Sequence, residues 1–171
     1  MKLIIINGSS CAGKSTIIKN IMKDKKHLFH LHYDTIKWLF SNYSPTEHYQ
    51  DVQRVVLAIA EEVFSLGYDV VSDSSITRDF REKLIDLGRA KGYDIIEINL
   101  EADYEVLLKR FNERVENALK DPNRRISNLS ADRHKELFDT FNNEKNPLAV
   151  TFKTDIQTIE EISEGIMKII G

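Results

Sequence analysis

The sequence predicts an α/β domain with a mostly parallel, five-stranded sheet, and three observations predict it. Apolar runs of strand length alternate with amphipathic segments of helical period, the pattern of repeated β-α-β units. The first run, Leu3 to Ile6, is apolar throughout, as a parallel strand covered on both faces requires. That run stops at Asn7-Gly8, and a helical pattern follows the glycine-bearing turn directly.

The elements follow in chain order. Ile17, Ile18, Ile21 and Met22 recur at helical spacing, and Lys23-Asp24-Lys25-Lys26 ends the pattern. Leu28 to Tyr33 reads as a second strand. Val52, Val55, Val56, Ile59, Ala60, Val63 and Phe64 mark a long amphipathic helix ending near Gly67. Tyr68 to Ser72 is the third strand, Ile95 to Leu100 the fourth, and the segment from about Ala102 to Ala118 a helix. Ala149 to Lys153 supplies a fifth strand, and Ile159, Ile162, Ile166, Ile169 and Ile170 mark the closing helix. No repeat, low-complexity tract or linker interrupts the series, so one domain over residues 1–171 is expected. The polar stretch from Glu116 to Asp132, with Pro122, Arg124 and Arg125, is the one long enough to form a mobile element.

Composition narrows the function classes. With 171 residues, 42% hydrophobic and 30% charged, the chain can bury a substantial core. Its formal net charge of -3 excludes a chain-wide basic field for non-specific nucleic-acid binding and leaves room only for a local basic patch. Cys11 is the only cysteine, which excludes an internal disulfide and a multi-thiolate zinc cluster and fits a reducing compartment, so a cytoplasmic location is expected. The apolar start Met1 to Ile6 is too short for a signal-peptide core or a membrane span, and no membrane partner is expected. His27, His30, His32, His48 and His134 show no ligand spacing joined to carboxylates on one helix and are assigned no role.

The chemistry is carried by the first loop. Gly8-Ser9-Ser10-Cys11-Ala12-Gly13-Lys14-Ser15, followed by Thr16, fits G-x-x-x-x-G-K-[ST] and lies between an apolar strand and an amphipathic helix. Glycines let backbone N–H groups approach phosphate oxygens, the helix N-terminus adds partial positive charge, Lys14 reaches the terminal phosphates, and Ser15 can ligate Mg²⁺. ATP and Mg²⁺ are therefore the expected cofactors. The bland alternative, a glycine turn capping a helix through Ser15 or Thr16, does not explain the full pattern in its strand–loop–helix setting. Asp73, after the third strand, is a candidate metal ligand and equally a capping residue for the next segment. No Asn-Lys-x-Asp sequence occurs, which weakens a GTPase reading.

Two stretches resemble known families. Ile4-Ile5-Ile6-Asn7-Gly8-Ser9-Ser10-Cys11-Ala12-Gly13-Lys14-Ser15 resembles the start of the chloramphenicol phosphotransferases, where an Asn-Gly-Gly-Ser-Ser-Ala-Gly-Lys-Ser type of loop follows the first strand. Asp73-Ser74-Ser75-Ile76 with Arg78 and Arg81, and then Lys109-Arg110-Phe111-Asn112-Glu113-Arg114, resembles the ATP-dependent kinase domain of polynucleotide kinases. The resemblance implies a three-layer P-loop NTPase fold with a helical lid at about 115–132. It also implies transfer of the γ-phosphoryl group of ATP to a hydroxyl, with an aspartate after the second strand as base and lid arginines closing on the phosphates. On this pattern Asp34 takes the base position, Arg110 flanks the adenine, and Arg114 reaches the transferring phosphate.

Each assignment has a competitor. Asp34 would equally cap a helix beginning at Thr35. Trp38, Phe40 and Tyr43 are candidates for an acceptor pocket or for core. Arg124 and Arg125 could contact phosphate or simply be solvated, and Cys11 could be a reactive loop thiol or an inert small residue. Polynucleotide kinases carry arginine three residues after the base, whereas this chain has Lys37, a point charge rather than a planar fork. Lys37 and the acidic balance favour a small hydroxyl-bearing acceptor. A nucleic-acid 5'-hydroxyl end and a non-catalytic ATP-binding switch are the alternatives.

Overall fold

The computed structural model describes residues 1–73, 77–121 and 130–171. Five strands, β1 (Lys2–Gly8), β2 (Leu28–Leu31), β3 (Asp69–Ser72), β4 (Asp94–Glu101) and β5 (Val150–Lys153), form one sheet in the order β2-β3-β1-β4-β5. Every pairing is parallel, so the sheet is all-parallel rather than mostly so. The helices are α1 (Lys14–Asp24), α2 (Tyr33–Lys37), α3 (Pro45–Ser65), α4 (Arg78–Ala90), α5 (Tyr104–Leu119), α6 (Ala131–Glu144) and α7 (Ile159–Ile170).

The continuous apolar run of β1 has a direct structural cause. Leu3 and Ile5 point into a core formed with α3 and α4, through Val52, Val56, Phe80 and Leu84. Ile4 and Ile6 point to the other face, where α1 and α7 cover them with Ile17, Ile18, Ile162 and Ile166. All four β1 side chains are at most 1% exposed. At roughly 1.5–3 kcal/mol per fully buried aliphatic side chain, this strand anchors both layers.

Two helices were absent from the sequence reading. α4 carries Phe80, Leu84 and Ile85 on its buried face, a helical spacing that was present in the sequence. α6 is mostly polar, with His134 as its buried residue, so periodicity gave little to detect. Its start is fixed by Ser130, whose side chain accepts a hydrogen bond from the Arg133 N–H. α7 opens with a capping box in which Thr158 and Glu161 satisfy each other's backbone N–H groups. Residues 122–129 of the expected lid, including Pro122, Arg124 and Arg125, lie outside the described residues, as do Ser74, Ser75 and Ile76.

No helix among the described residues is long and apolar enough to cross a membrane.

Candidate active site

The site forms at the carboxyl ends of β1, β2 and β3. The chain moves out from β1 to β2 and β3 on one side and to β4 and β5 on the other, and such a reversal leaves a crevice beside the central strand. The loop from Gly8 to Gly13 fills it. Gly8 is paired with Leu100 of β4, and a Cβ added at Gly8 would stand 2.8 Å from the Leu100 carbonyl oxygen. Backbone cannot yield there, so only glycine lets the loop leave the strand at this point. Gly13 caps α1 with φ at 90°, and Cys11 holds a left-handed φ of 65°, a conformation that costs a non-glycine residue about 1–3 kcal/mol and clusters at functional sites. The first N–H groups of α1 have no intrahelical acceptor by helix geometry and face the loop's concavity.

The charged residues converge on that concavity. A cavity of about 610 Å³ is lined by Lys14, Ser15, Asp34, Asp73, Arg110 and Arg114, with Ser10, Cys11, Gly13 and Thr16 from the loop. Lys14 Nζ donates to the carbonyls of Gly8 at 2.8 Å and Ser9 at 2.9 Å. Burial pushes the Lys14 ammonium below its ordinary pKa, while Asp73 and Asp34 pull it upward. Ser15 Oγ donates to Asp73 Oδ2 at 2.8 Å. Burial alone would raise the Asp73 carboxyl, but His30, His32 and Ser15 outweigh it and hold the pKa below its ordinary value.

Asp34 differs from the capping alternative. The cap of α2 is His32, and Asp34 sits inside the first turn. There its carboxylate meets Lys37 Nζ at 2.7 Å, while Lys37 lies 4.9 Å from the centre of the Trp38 ring. Lys37 is buried and engaged by these neighbours. Trp38 and Tyr43 meet edge to face, and Phe40 and Tyr43 pack on the α3 side of the core. The three aromatic residues line neither the large cavity nor the second one described next.

That second cavity, about 370 Å³, lies beside the same loop and shares Ser10 with the first. Gly8 and Ser9 line it, together with Asn7, Tyr49, Arg81, Phe141 and Lys145. Among the described residues, Asn7 Nδ2 and Ser9 Oγ are buried there without a hydrogen-bond partner. No motif points to this cavity, because its walls come from α3, α4 and α6, and neither α4 nor α6 is among the expected helices. Arg110 spans Thr154 through bonds of 3.0 Å to Oγ1 and 2.6 Å to the carbonyl oxygen. It thereby borders a groove with Ala12, Thr16, Gln157 and Ile159. His30 and His32 were also missed. They lie two apart along β2 and its exit, hence on one face, and β2 neighbours β3, so both reach Asp73.

A glycine loop of this form on a parallel 2-3-1-4-5 sheet defines a P-loop nucleotide-binding protein with the fold of the P-loop kinases. A model of the AAA domain family matches residues 3–141, and the chain belongs to that family. No curated protein matches it at a significant level. Among solved structures, it is similar to the APS kinase of Mycobacterium tuberculosis in complex with AMPPNP and APS, with a TM-score of 0.69 and 15% identity over 99% of this chain and 96% of that one. A gluconokinase from Sinorhizobium meliloti 1021 gives 0.66 and 18%, covering 98% of this chain and 93% of the other. The tunicamycin resistance protein of Deinococcus radiodurans gives 0.65 and 17%, covering 99% and 95%. At these identities the likeness is one of fold.

Proposed function

We propose that the chain is an ATP-dependent phosphotransferase that moves the γ-phosphoryl group of ATP to a hydroxyl of a small molecule, the whole chain acting as one kinase domain with its lid at about 115–132. The observation that carries the reading is the convergence of Lys14, Ser15, Asp34, Asp73 and Arg114 on one cavity at the phosphate loop. The loop N–H groups and Lys14 hold the phosphates, and Arg114 offsets the charge that develops on the transferring group. Asp34 accepts the acceptor's hydroxyl proton as the acceptor oxygen bonds to the γ-phosphorus and the bond to the β–γ bridging oxygen breaks, releasing ADP. Arg110, beside Thr154 and Ala12, borders the groove that suits the base.

Mg²⁺ fits the oxygen donors present: the Ser15 hydroxyl and the buried Asp73 carboxylate stand together, a hard donor pair of the kind that ion prefers. Ser15 and Asp73 would hold it, and when bound it neutralises phosphate charge.

The second cavity suits the body of the acceptor, since it joins apolar Phe141 to the Asn7 amide, which has no partner among the described residues, beside the phosphate loop. Lys37, fixed against Asp34 and Trp38, is a poor docking point for a nucleic-acid phosphate. The test is acceptor-stimulated ADP release, screened over small hydroxyl compounds and 5'-hydroxyl oligonucleotides, with Lys14→Ala as the inactive control. Turnover with a small hydroxyl compound supports the reading. Exclusive turnover of oligonucleotides, or equal turnover by Lys14→Ala, would overturn it.

A further inference from the structure

The Asp73 carboxylate receives two imidazoles from the neighbouring strand, and a phosphate site needs neither of them. His30 Nε2 stands 2.9 Å from Asp73 Oδ1, a distance that a hydrogen bond explains. His32 Nε2 lies 3.7 Å from the same oxygen, too far for one. Its other ring nitrogen, Nδ1, is 2.8 Å from Thr35 Oγ1. With Nδ1 donating to that hydroxyl, Nε2 turns a lone pair toward a carboxylate oxygen. In that tautomer the two acceptors face each other, an arrangement a cation between them satisfies. Metal-binding histidines are oriented by just such a hydrogen bond from the far nitrogen.

The dimensions agree. The three ligand atoms of His30, His32 and Asp73 all lie within 4.8 Å of one another. A transition ion bound at about 2.0–2.2 Å by imidazole nitrogen and carboxylate oxygen sets neighbouring ligands some 3–3.5 Å apart, so His32 must move in slightly while the His30–Asp73 contact opens as Nε2 releases its proton to solvent and takes the ion. The two rings are already stacked, with centroids 4.9 Å apart and 21° between their planes. Fold topology supplies the framework: His30 pairs with Val71, and two residues further along each of these parallel strands His32 and Asp73 leave side by side. Asp73 is 3% exposed, so its carboxylate is a fixed anchor, while His32 faces the open cavity through which an ion can enter.

We propose that His30, His32 and Asp73 form a binding site for a first-row transition ion such as Zn²⁺ or Co²⁺, separate in chemistry from the oxygen-donor site for Mg²⁺. Imidazole nitrogen favours borderline ions, and Mg²⁺ takes oxygen ligands. The two sites share Asp73 through different oxygens, Oδ1 toward the histidines and Oδ2 toward Ser15, so an ion on the histidines does not need the oxygen that faces Mg²⁺. The proposal does not depend on phosphotransfer, since the binding of metal alone tests it.

The experiment titrates the nucleotide-free full chain with Co²⁺ and follows the visible absorption of the bound ion, with Zn²⁺ displacement and a chelator to fix the affinity. One Co²⁺ per chain should bind, Zn²⁺ should displace it, and millimolar Mg²⁺ should not. His32→Asn and His30→Gln, each checked for native circular dichroism, should each weaken binding by more than about 10-fold, the loss that even an outer-shell partner causes. Cys11→Ser and His48→Gln should leave the affinity unchanged. Retained affinity in folded His32→Asn, loss of the signal in Cys11→Ser, or displacement of Co²⁺ by Mg²⁺ would each overturn the site. Should His30→Gln fail to fold, His32→Asn alone decides, because its side chain is partly exposed at the cavity.

Discussion

Replacing Asp34 by asparagine separates catalysis from stability with one atom's change. The carboxylate contributes to stability in two ways, through the ion pair with Lys37 and through its place in the first turn of α2. Its side chain is 53% exposed, so the pair is worth no more than about 1 kcal/mol, and the interaction with the helix N-terminus adds about 0.3–1 kcal/mol. The upper bound is therefore about 2 kcal/mol, which lowers the melting temperature of a chain this size by at most about 4–8 °C. Loss of a base acts on another scale. It should cut turnover on the order of 10²-fold to 10⁴-fold, or about 2.7–5.5 kcal/mol of activation free energy, with ATP affinity nearly constant. The assay is steady-state ADP release with a verified acceptor, beside nucleotide titration and thermal melting of the same preparation. Lys37→Met, which leaves the carboxylate but frees it, should cost turnover far less than Asp34→Asn. Turnover of Asp34→Asn within about threefold of wild type would refute the reasoning, since no base is dispensable at that level.

Arg114→Ala should lower turnover much more than ATP affinity, as expected for a cation engaged chiefly in the transition state; an equal loss confined to ATP binding would reassign it to the ground state. Alkylation of Cys11, which lines the nucleotide cavity, should inhibit, and bound ATP should slow the modification; full activity after complete, mass-verified alkylation would show the thiol to be inert. His134 is fully buried against Phe111 and Tyr104, and that burial depresses its pKa below the ordinary 6.5. The unfolded chain thus binds the proton more readily than the folded one, so stability is retained above about pH 6.5 and declines as the pH falls below it. Melting curves from pH 7.5 to 5.5 should show a steeper loss for wild type than for His134→Leu; parallel curves would contradict this.

Strand positions were legible because apolar runs mark them, most clearly in β1, which is covered on both faces, and the five runs fall where the strands lie. The phosphate loop was legible for a different reason: its glycines answer to local geometry, the close approach of Leu100 and the turn into α1, which sequence spacing records. α6 could not be read, since its polar surface hides the single buried His134. The cluster at Asp73 was hidden for a topological reason. His30, His32 and Asp73 are unremarkable apart, and only the adjacency of β2 and β3 brings them together. The pairing of Asp34 with Lys37 could have been seen from their spacing of three within a helix, had α2 been started two residues earlier, at Tyr33.

The central place of β1 has a consequence for how the chain is made. β1 pairs with β3 on one side and β4 on the other, from Leu3 with Val70 and Lys2 with Asp94 onward. The ribosome therefore delivers the strand and its phosphate loop long before either neighbour exists. At about 5–20 residues per second, the interval between Leu3 and its first partner Val70 is roughly 3–13 s, during which Leu3 to Ile6 has no partner strand to lie against, and β4 follows later still. A segment that is among the best protected in the finished molecule is thus the one exposed longest during synthesis, and the nucleotide site cannot take shape until more than half the chain has emerged.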